Sequence, residues 1–253
     1  MKKIAFFDSG VGGLNVLKEA LRILPHESYF YYADVDHAPY GTKSTQAVKQ
    51  YVLSAVKFII NLDIKALVIA CNTATSVAIN DLRQRYTFPI IGMEPAVKPA
   101  LAKCVSDEDK ILVLATPLTL QETKLADLIT TISTKDRIDL LPFPELTKFA
   151  ENFELNSERV KTCIKEKLQN YNLNNYQALV LGCTHYLFFK DLFAQILPKK
   201  IVIMDGAEGT VLRLKSLLTE IANIGEPEVA FYFAGREVTD PERLQVLQEI
   251  VTL

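Results

Sequence analysis

The sequence has few cysteines, and it has no apolar run long enough to cross a bilayer. Its four cysteines, Cys71, Cys104, Cys163 and Cys183, lie far apart and form no CxxC pair, which excludes a dense disulfide framework. The N-terminus, MKKIAFFDSG, reaches an acid at Asp8 after four apolar residues, too few for the apolar core of a signal peptide. We therefore expect a cytoplasmic protein with reduced thiols and no membrane partner.

An excess of charge of either sign is also missing. The chain carries 28 basic and 30 acidic residues, for a net charge of -2, and they are spread along the whole sequence. The absence of a basic stripe or polybasic tail argues against nucleic acid as a partner. With 49% hydrophobic and 23% charged residues over 253 positions, the chain can bury the core of one large domain or two small ones.

Short apolar segments alternate with stretches of helical periodicity along the chain. The segments are mostly apolar without polar alternation, as is typical of strands covered on both faces. Alternating strands and helices predict the α/β class, with mostly parallel sheets flanked by helices. The predicted strands are residues 4–7, 29–33, 66–70, 89–92, 111–115, 138–142, 178–182, 201–204 and 229–234.

An internal repeat indicates two similar lobes. Residues 66–75 read ALVIACNTAT and residues 178–187 read ALVLGCTHYL, so the two cysteines are 112 residues apart (183 − 71). A second pair, KIAFFDSG (3–10) and KILVLATP (110–117), has an offset of 107 (110 − 3). Ligands of parallel sheets bind beyond the carboxyl ends of the strands. Two facing lobes would therefore bring both cysteines to one cleft, from opposite sides.

Each cysteine follows a predicted strand directly. Cys71 opens a predicted helix, where unpaired N–H groups and the helix dipole favour a thiolate. Cys183 has the same placement, with His185 two residues later as a general acid or as the group that sets the ionisation of Cys183. The alternative interpretation is structural, because cysteines and histidines at such junctions are often only packed. We assign no role to His26 or His37 from the sequence.

The loop DSGVGG (8–13) links the first strand to the first amphipathic helix. Its glycines allow tight turning and close approach of a ligand to the backbone, but the spacing is not that of a nucleotide-binding loop. Asp8 could orient or ionise a neighbour, or cap the helix. The turn at Tyr40 and Gly41 could line a pocket with its hydroxyl and backbone.

Five motifs together resemble those of glutamate racemases. DSGVGG (8–13), PYG (39–41), CNTA (71–74), GMEP (92–95) and LGCTH (181–185) occur in the order and approximate spacing of that family, between Asp8 and about Asp205. One departure is Leu187, where the family often has proline. The resemblance implies two pseudo-symmetric α/β lobes with the active site between them. Residues 1–95 plus 210–253 would form lobe one, and residues 96–209 lobe two.

The resemblance also implies roles for individual residues. Cys71 and Cys183 would be the two proton donor/acceptors, with Asp8 serving Cys71 and His185 serving Cys183. A glutamate supporting the second cysteine would be Glu151, with Glu154 as an alternative. The implied enzyme needs no cofactor or metal, takes the small molecule glutamate, forms a homodimer, and supplies D-glutamate for peptidoglycan. The substrate would be held by Asp8, Ser9, Tyr40, Gly41, Asn72, Thr73, Thr184 and His185.

Racemisation without a cofactor requires two acid–base groups on opposite faces of Cα. Three alternatives remain open: a racemase for aspartate or another acidic substrate, a metal site, and a two-lobed binding protein without catalysis. The metal site would be built from Cys71, Cys183, His185 and Asp8, although such sites usually cluster more tightly in sequence. A binding protein would need the cleft but has no use for opposed thiols.

Overall fold

The computed structural model describes residues 2–132, 135–218 and 227–252, which form two lobes, each built on its own sheet. In the first lobe, strand order is β10-β9-β2-β1-β3-β4, with β10 antiparallel to β9 and the other pairs parallel. These strands are β1 (Lys3–Asp8), β2 (Tyr29–Ala33), β3 (Ile64–Ile69), β4 (Ile90–Gly92), β9 (Val229–Phe233) and β10 (Arg236–Glu237).

The second lobe contains a sheet of four parallel strands, in the order β6-β5-β7-β8. They are β5 (Lys110–Ala115), β6 (Ile138–Pro142), β7 (Tyr176–Leu181) and β8 (Val202–Asp205). Helices lie on both sheets and connect the strands. They are α1 (Leu14–Ile23), α2 (Thr45–Ile59), α3 (Asn72–Arg85), α4 (Val97–Leu101), α5 (Pro117–Gln121), α6 (Thr123–Thr131), α7 (Pro144–Glu151), α8 (Glu158–Leu168), α9 (Lys190–Ile196), α10 (Ala207–Leu217) and α11 (Pro241–Thr252).

The internal repeat predicted from the sequence is confirmed by the topology. The order β2-β1-β3-β4 in the first lobe recurs as β6-β5-β7-β8 in the second. Ile4 lies opposite Ala66, and Ile111 lies opposite Ala178; in each sheet the register shifts directly before the isoleucine. Strands β2-β1-β3-β4 of the first sheet therefore correspond one for one, and in register, to the four strands of the second sheet, as pseudo-symmetry requires.

The strands lack polar alternation because helices cover both faces of the sheets. In β1, Ile4 and Phe6 pack in the cluster that includes α1, α10 and α11, while Ala5 and Phe7 pack in the cluster that includes α2 and α3. All four side chains are fully buried. A polar residue on either face would lose its water contacts without compensation, so the strand is apolar throughout.

The last part of the chain adds to the first lobe. Strand β9 pairs in parallel with β2, and α11 packs against α1 with Leu247 and Val251 buried. The two-residue strand β10 was not predicted, because a segment so short carries no periodicity. It follows a turn at Ala234 and Gly235, both with positive φ. Among the described residues, no helix is both long and apolar enough to cross a membrane.

Candidate active site

Both cysteines lie where equivalent strands end. Cys71 follows β3 after Ala70, and Cys183 follows β7 after Gly182. Their exposed fractions are 5% and 6%, and both are free thiols. Cys183 is close enough to Cys71 for its charge to raise the pKa of the Cys71 thiol. The carboxyl ends of the two sheets therefore meet at a closed cleft that contains both sulfurs.

Hydrogen bonds between the lobes converge on the loop after β1. Thr184 Oγ1 donates to Asp8 Oδ2 at 3.0 Å, and Val11 N–H donates to Glu151 Oε1 at 3.3 Å. Asn15 Nδ2 donates to the Thr184 carbonyl at 3.3 Å. The side chains predicted to serve the two cysteines are thus linked across the cleft.

The glycines of this loop make room for the other lobe. A Cβ on Gly10 would lie 1.8 Å from Glu151 Oε1, and one on Gly12 would lie 2.7 Å from the His185 backbone nitrogen. Neither glycine has a positive φ. The chain bends and turns over residues 9–13 between β1 and α1, as predicted from these glycines. Their role is close approach between the lobes, which any Cβ would obstruct.

Cys71 caps helix α3, and its sulfur accepts a hydrogen bond from Ala74 N–H at 3.4 Å. Ser9 Oγ lies 3.7 Å from the same sulfur. Burial and the nearby Asp8 carboxylate nevertheless raise the pKa of Cys71 far above its usual range, because these two effects outweigh its hydrogen bonds with Ala74 and Ser9. The helix terminus alone predicted a thiolate here, whereas burial and Asp8 in the structure favour the protonated thiol.

Cys183 has a different local structure from Cys71. The residues after it form the 3₁₀ segment Thr184–Phe189, and its side chain makes no cap hydrogen bond. A helix therefore begins directly after Cys183, as after Cys71, but it is a 3₁₀ helix. Its partner is His185, whose Nδ1 lies 3.7 Å from the Cys183 sulfur.

His185 is held between a sulfur and a carboxylate. Its Nε2 lies 2.5 Å from Glu151 Oε1, and only 2% of the residue is exposed. Burial lowers the pKa of His185, but the hydrogen bonds to Cys183 and Glu151 outweigh burial and raise the pKa well above 6.5. Burial acts against ionisation of Glu151 as well, but the hydrogen bond and charge of His185 bring its pKa below 4.5.

The two sulfurs therefore have different ionisable neighbours. His185, whose pKa is raised, lies beside the Cys183 sulfur with Glu151 behind it. On the other side of the cleft, burial and Asp8 raise the pKa of Cys71. Two sulfurs in one cleft, each with its own ionisable neighbours, are compatible with a two-base proton transfer.

Asp8 is fully buried at the end of β1. Its Oδ1 accepts a hydrogen bond from Gly10 N–H at 2.9 Å, and its Oδ2 accepts from Thr184. Burial raises the pKa of Asp8 to about 6, and the charge of His185 and these two hydrogen bonds limit the rise. Near neutral pH, Asp8 can therefore exchange a proton with its surroundings.

The residues predicted to bind substrate surround the same cleft. Asn72 Nδ2 donates to the Met93 carbonyl at 3.3 Å, and Asn72 Oδ1 is buried with no hydrogen-bond partner among the described residues. Thr73 Oγ1 lies 2.9 Å from Thr116 Oγ1 and 3.1 Å from Thr119 Oγ1. Asn72 and Thr73 thus present polar atoms at the start of α3, beside Cys71.

The Tyr40 hydroxyl was expected to line the pocket, but in the structure it points to another side chain. Its hydroxyl donates to Asp34, and the residue is only 1% exposed. The next residue, Gly41, is so close to the second lobe that a Cβ there would lie 2.4 Å from Thr116 Cβ. The turn therefore presents its backbone at Gly41, whereas the phenol hydrogen is already engaged.

Sequence reasoning missed the hydroxyls of Thr116 and Thr119. Thr116 caps α5 and accepts from Thr119 N–H at 3.2 Å. The repeat carried the signal for one of them: Thr116 follows β5 as Ser9 follows β1, with the same offset of 107 (116 − 9). Thr119 lies within a helix, where the repeat gives no indication.

The two glutamates left open by the sequence have different environments. Glu151 contacts His185, as described above. Glu154 instead accepts a hydrogen bond from Ser157 Oγ at 2.6 Å and pairs with Arg159 at 3.5 Å. Of the two, Glu151 is the one that makes a hydrogen bond with the His185 ring. Within the described ranges, no group of three or more His, Cys, Asp or Glu side chains is arranged to hold a metal ion.

Comparisons with known proteins agree with this geometry. Residues 13–212 match the family Asp/Glu/Hydantoin racemase. The chain is 49% identical to the glutamate racemase of Halothermothrix orenii, with 98% of each chain covered. It is 45% identical to glutamate racemase 2 of Bacillus subtilis, over 95% of this chain and 91% of that protein.

Solved structures of such enzymes are also similar. The glutamate racemase of Campylobacter jejuni superposes with a TM-score of 0.84 at 25% identity, covering 99% of this chain and 98% of the other. The Escherichia coli glutamate racemase, solved with L-glutamate and the activator UDP-MurNAc-ala, also has a TM-score of 0.84, at 28% identity over 99% and 96% of the two chains. The chain belongs to the Asp/Glu/hydantoin racemase family and, within it, to the glutamate racemases.

Proposed function

We propose that this chain interconverts L- and D-glutamate by a two-base mechanism in which Cys71 and Cys183 act on opposite faces of Cα. The observation that carries the proposal is the pairing of the two sulfurs at equivalent strand ends in one cleft, with Cys71 at the start of α3 and Cys183 beside His185. Two relatives of known structure were solved with glutamate bound, those of Francisella tularensis and Escherichia coli.

In the L-to-D direction, Cys183 removes the Cα proton and Cys71 delivers its own proton to the other face. Removal leaves the electron pair at Cα, delocalised into the carboxylate, and protonation by Cys71 restores the tetrahedral carbon. His185, with Glu151 behind it, stabilises Cys183 as thiolate before the transfer. Asp8 assists Cys71 when the direction is reversed and Cys71 must be the base.

The remaining polar residues hold the substrate. Ser9, Asn72, Thr73 and Thr184 offer hydroxyl and amide groups close to the sulfurs, and the backbone at Tyr40 and Gly41 closes one end. Because both sulfurs are nearly inaccessible, the lobes must separate to admit substrate and close again to exclude water. Water must be excluded because it would protonate the carbanion at Cα from either face.

The proposal includes the organisation of the molecule and its biological setting. Lobe one comprises residues 1–95 plus 210–253, and lobe two comprises residues 96–209. The pairing of β9 with β2 supports this division. We further propose a cytoplasmic homodimer that needs no cofactor and supplies D-glutamate for peptidoglycan.

Two alternative functions are an aspartate racemase and a binding protein without catalysis. An aspartate racemase has the same fold: that of Picrophilus torridus superposes with a TM-score of 0.54 at 15% identity, which is evidence of fold alone. A binding protein without catalysis would need neither opposed thiols nor the His185–Glu151 pair. The glutamate assignment is favoured by relatives that are 45–49% identical along nearly the whole chain.

The test is incubation of the purified chain with L-glutamate, and separately with L-aspartate, in D₂O. We expect D-glutamate carrying deuterium at Cα, and no comparable turnover of aspartate. Activity should survive dialysis against EDTA and treatment with hydroxylamine, and alkylation of the thiols should abolish it. Turnover of aspartate alone, or loss of activity to EDTA with resistance to alkylation, would refute the proposal.

A further inference from the structure

A buried carboxylate next to the cleft takes no part in the proposed proton transfers. Asp34 follows β2 directly and is 4% exposed. Its carboxylate accepts a hydrogen bond from the Tyr40 hydroxyl, and His37 Nδ1 lies 2.9 and 3.0 Å from its two oxygens. A carboxylate can only accept, so His37 Nδ1 carries the proton in this contact.

The donors of Asp34 are themselves fixed by aromatic packing. The His37 ring stacks on Tyr51 of α2, with ring centres 3.9 Å apart and planes inclined by 16°. Tyr40 packs between Tyr51 and Phe7, with ring centres 6.0 and 6.4 Å away. Burial and the charge of Asp34 raise the pKa of Tyr40 far above its usual range, so its hydroxyl remains a donor.

These contacts lie beside a turn that borders the cleft. Tyr40 and Gly41 lie in one short 3₁₀ helix, and Gly41 contacts Thr116 of the other lobe. Thr116 in turn contacts Thr73 beside Cys71. The position of Gly41 in the cleft therefore depends on Tyr40, and the position of Tyr40 depends on its hydrogen bond to Asp34.

We propose that Asp34 is a positioning residue for substrate binding: it fixes Tyr40, with His37 as its second partner, so that the turn of residues 39–42 closes one end of the cleft. Asp34 touches neither sulfur nor the Cα path, so it acts on binding and leaves the proton transfers unchanged. The inference rests on the proposed glutamate racemase function.

The first test compares Asp34→Asn with a matched control, Asp36→Asn. Asp36 lies on the same 3₁₀ helix as His37 but is exposed and pairs with Arg236 at 3.1 Å. We expect Asp34→Asn to raise KM for both enantiomers by about tenfold or more, because a charge-assisted hydrogen bond is lost, with kcat within about threefold. Asp36→Asn should leave both parameters at the wild-type values.

Two further comparisons separate positioning from general destabilisation. Tyr40→Phe removes only the donor, and combined with Asp34→Asn it should raise KM no more than the stronger single change, since both break one contact. His37→Leu should also raise KM, and His37→Asn should restore it, because the asparagine Nδ2 can occupy the position of His37 Nδ1 and donate to Asp34.

The outcomes are distinguishable. A wild-type KM in Asp34→Asn, a lower kcat at unchanged KM, or additive effects in the double variant would overturn the inference while leaving the racemase function intact. If Asp34→Asn does not fold, Tyr40→Phe decides by the same KM criterion. A wild-type chain that fails to racemise glutamate overturns both the function and the inference built on it.

Discussion

The hydroxyl of Thr184 donates a 3.0 Å hydrogen bond to Asp8, so the carboxyl assigned to one cysteine is held by the residue adjacent to the other. The bond joins the two lobes across the cleft. It is also one of the interactions that limit the rise of the Asp8 pKa to about 6. The ionisation of Asp8 is thereby coupled to the closed arrangement of the lobes.

Replacing Thr184 by valine should therefore change the pH profile. Valine has nearly the same shape as threonine but cannot donate, so we expect the Asp8 pKa to rise and the acidic limb of kcat/KM to move upward from about 6, by roughly half to one pH unit. The measurement is kcat/KM for L-glutamate between about pH 5 and 9. Thr210→Val is the control, because that buried hydroxyl donates to the Gly206 carbonyl and does not contact Asp8. An acidic limb that stays in place or moves to lower pH would contradict the assignment.

Asp8→Asn should stabilise the fold while it removes activity. The pKa of Asp8 is 3.8 in the reference state and about 6 in the fold, so between these pH values the folded chain binds more protons than the unfolded chain. The free energy of unfolding of the wild type therefore falls as pH rises through this window. Asparagine carries no such charge, so the variant should be more stable at pH 7 by up to about 3 kcal/mol. The advantage should vanish below about pH 4.

Thermal unfolding at several pH values checks this prediction, with racemase activity measured in parallel. Asparagine Oδ1 can still accept from Gly10 N–H, and its Nδ2 can donate to Thr184 Oγ1, so the main change is the loss of the charge. Asp36→Asn serves as the control because that carboxylate is exposed. A stability difference between Asp8→Asn and wild type that does not depend on pH would count against burial as the origin of the raised pKa.

Glu151→Gln should reduce catalysis, whereas Glu154→Gln should not. Glutamine removes the charge that supports the cationic His185, whose pKa should fall, and we expect kcat to drop by about 10- to 100-fold. Glu154 contacts Ser157 and Arg159 instead, so its replacement should change kcat by less than about twofold. Steady-state kinetics of both variants provide the measurement. A larger loss in Glu154→Gln would show that the wrong glutamate had been assigned.

The sequence predicted the fold well because the determining signals are local or repeated. Nine predicted strands all form, and matched sequences around Cys71 and Cys183 correspond to matched strands. Where prediction failed, the deciding physics is not local. The protonated state of Cys71 depends on burial and on Asp8, which the helix terminus does not reveal.

The contacts of Asp34 illustrate the same limit. His37 and Tyr40 lie three and six residues after it, yet only the three-dimensional turn directs both side chains to one carboxylate. Likewise, the sequence places Gly10 and Gly12 in the turn after β1, but it does not show the atoms of the second lobe that approach them. Residue types and spacing located the site, but the assignment of partners required the packing of one lobe on the other.

The sharpest prediction concerns the two cysteines as separate bases. Serine is a far weaker base than a thiolate at neutral pH, so Cys71→Ser and Cys183→Ser should each lose racemisation. Loss in one direction must equal loss in the other as measured by kcat/KM, because the enantiomers have equal free energy and the equilibrium constant is one. Racemisation rates alone therefore cannot show which cysteine faces which enantiomer.

Half of the reaction can be isolated with a glutamate analogue that carries a leaving group at Cβ. Removal of the Cα proton then expels the leaving group with the electron pair, so one base on one face is sufficient. Cys71→Ser retains Cys183 and should process only the L-analogue, whereas Cys183→Ser should process only the D-analogue.

Cys104→Ser and Cys163→Ser are the matched controls, since both cysteines lie outside the cleft, and they should keep full racemisation. Equal treatment of both enantiomers by either active-site variant would mean that one mobile base serves both faces. The pairing of equivalent strand ends would then have a structural origin unrelated to catalysis.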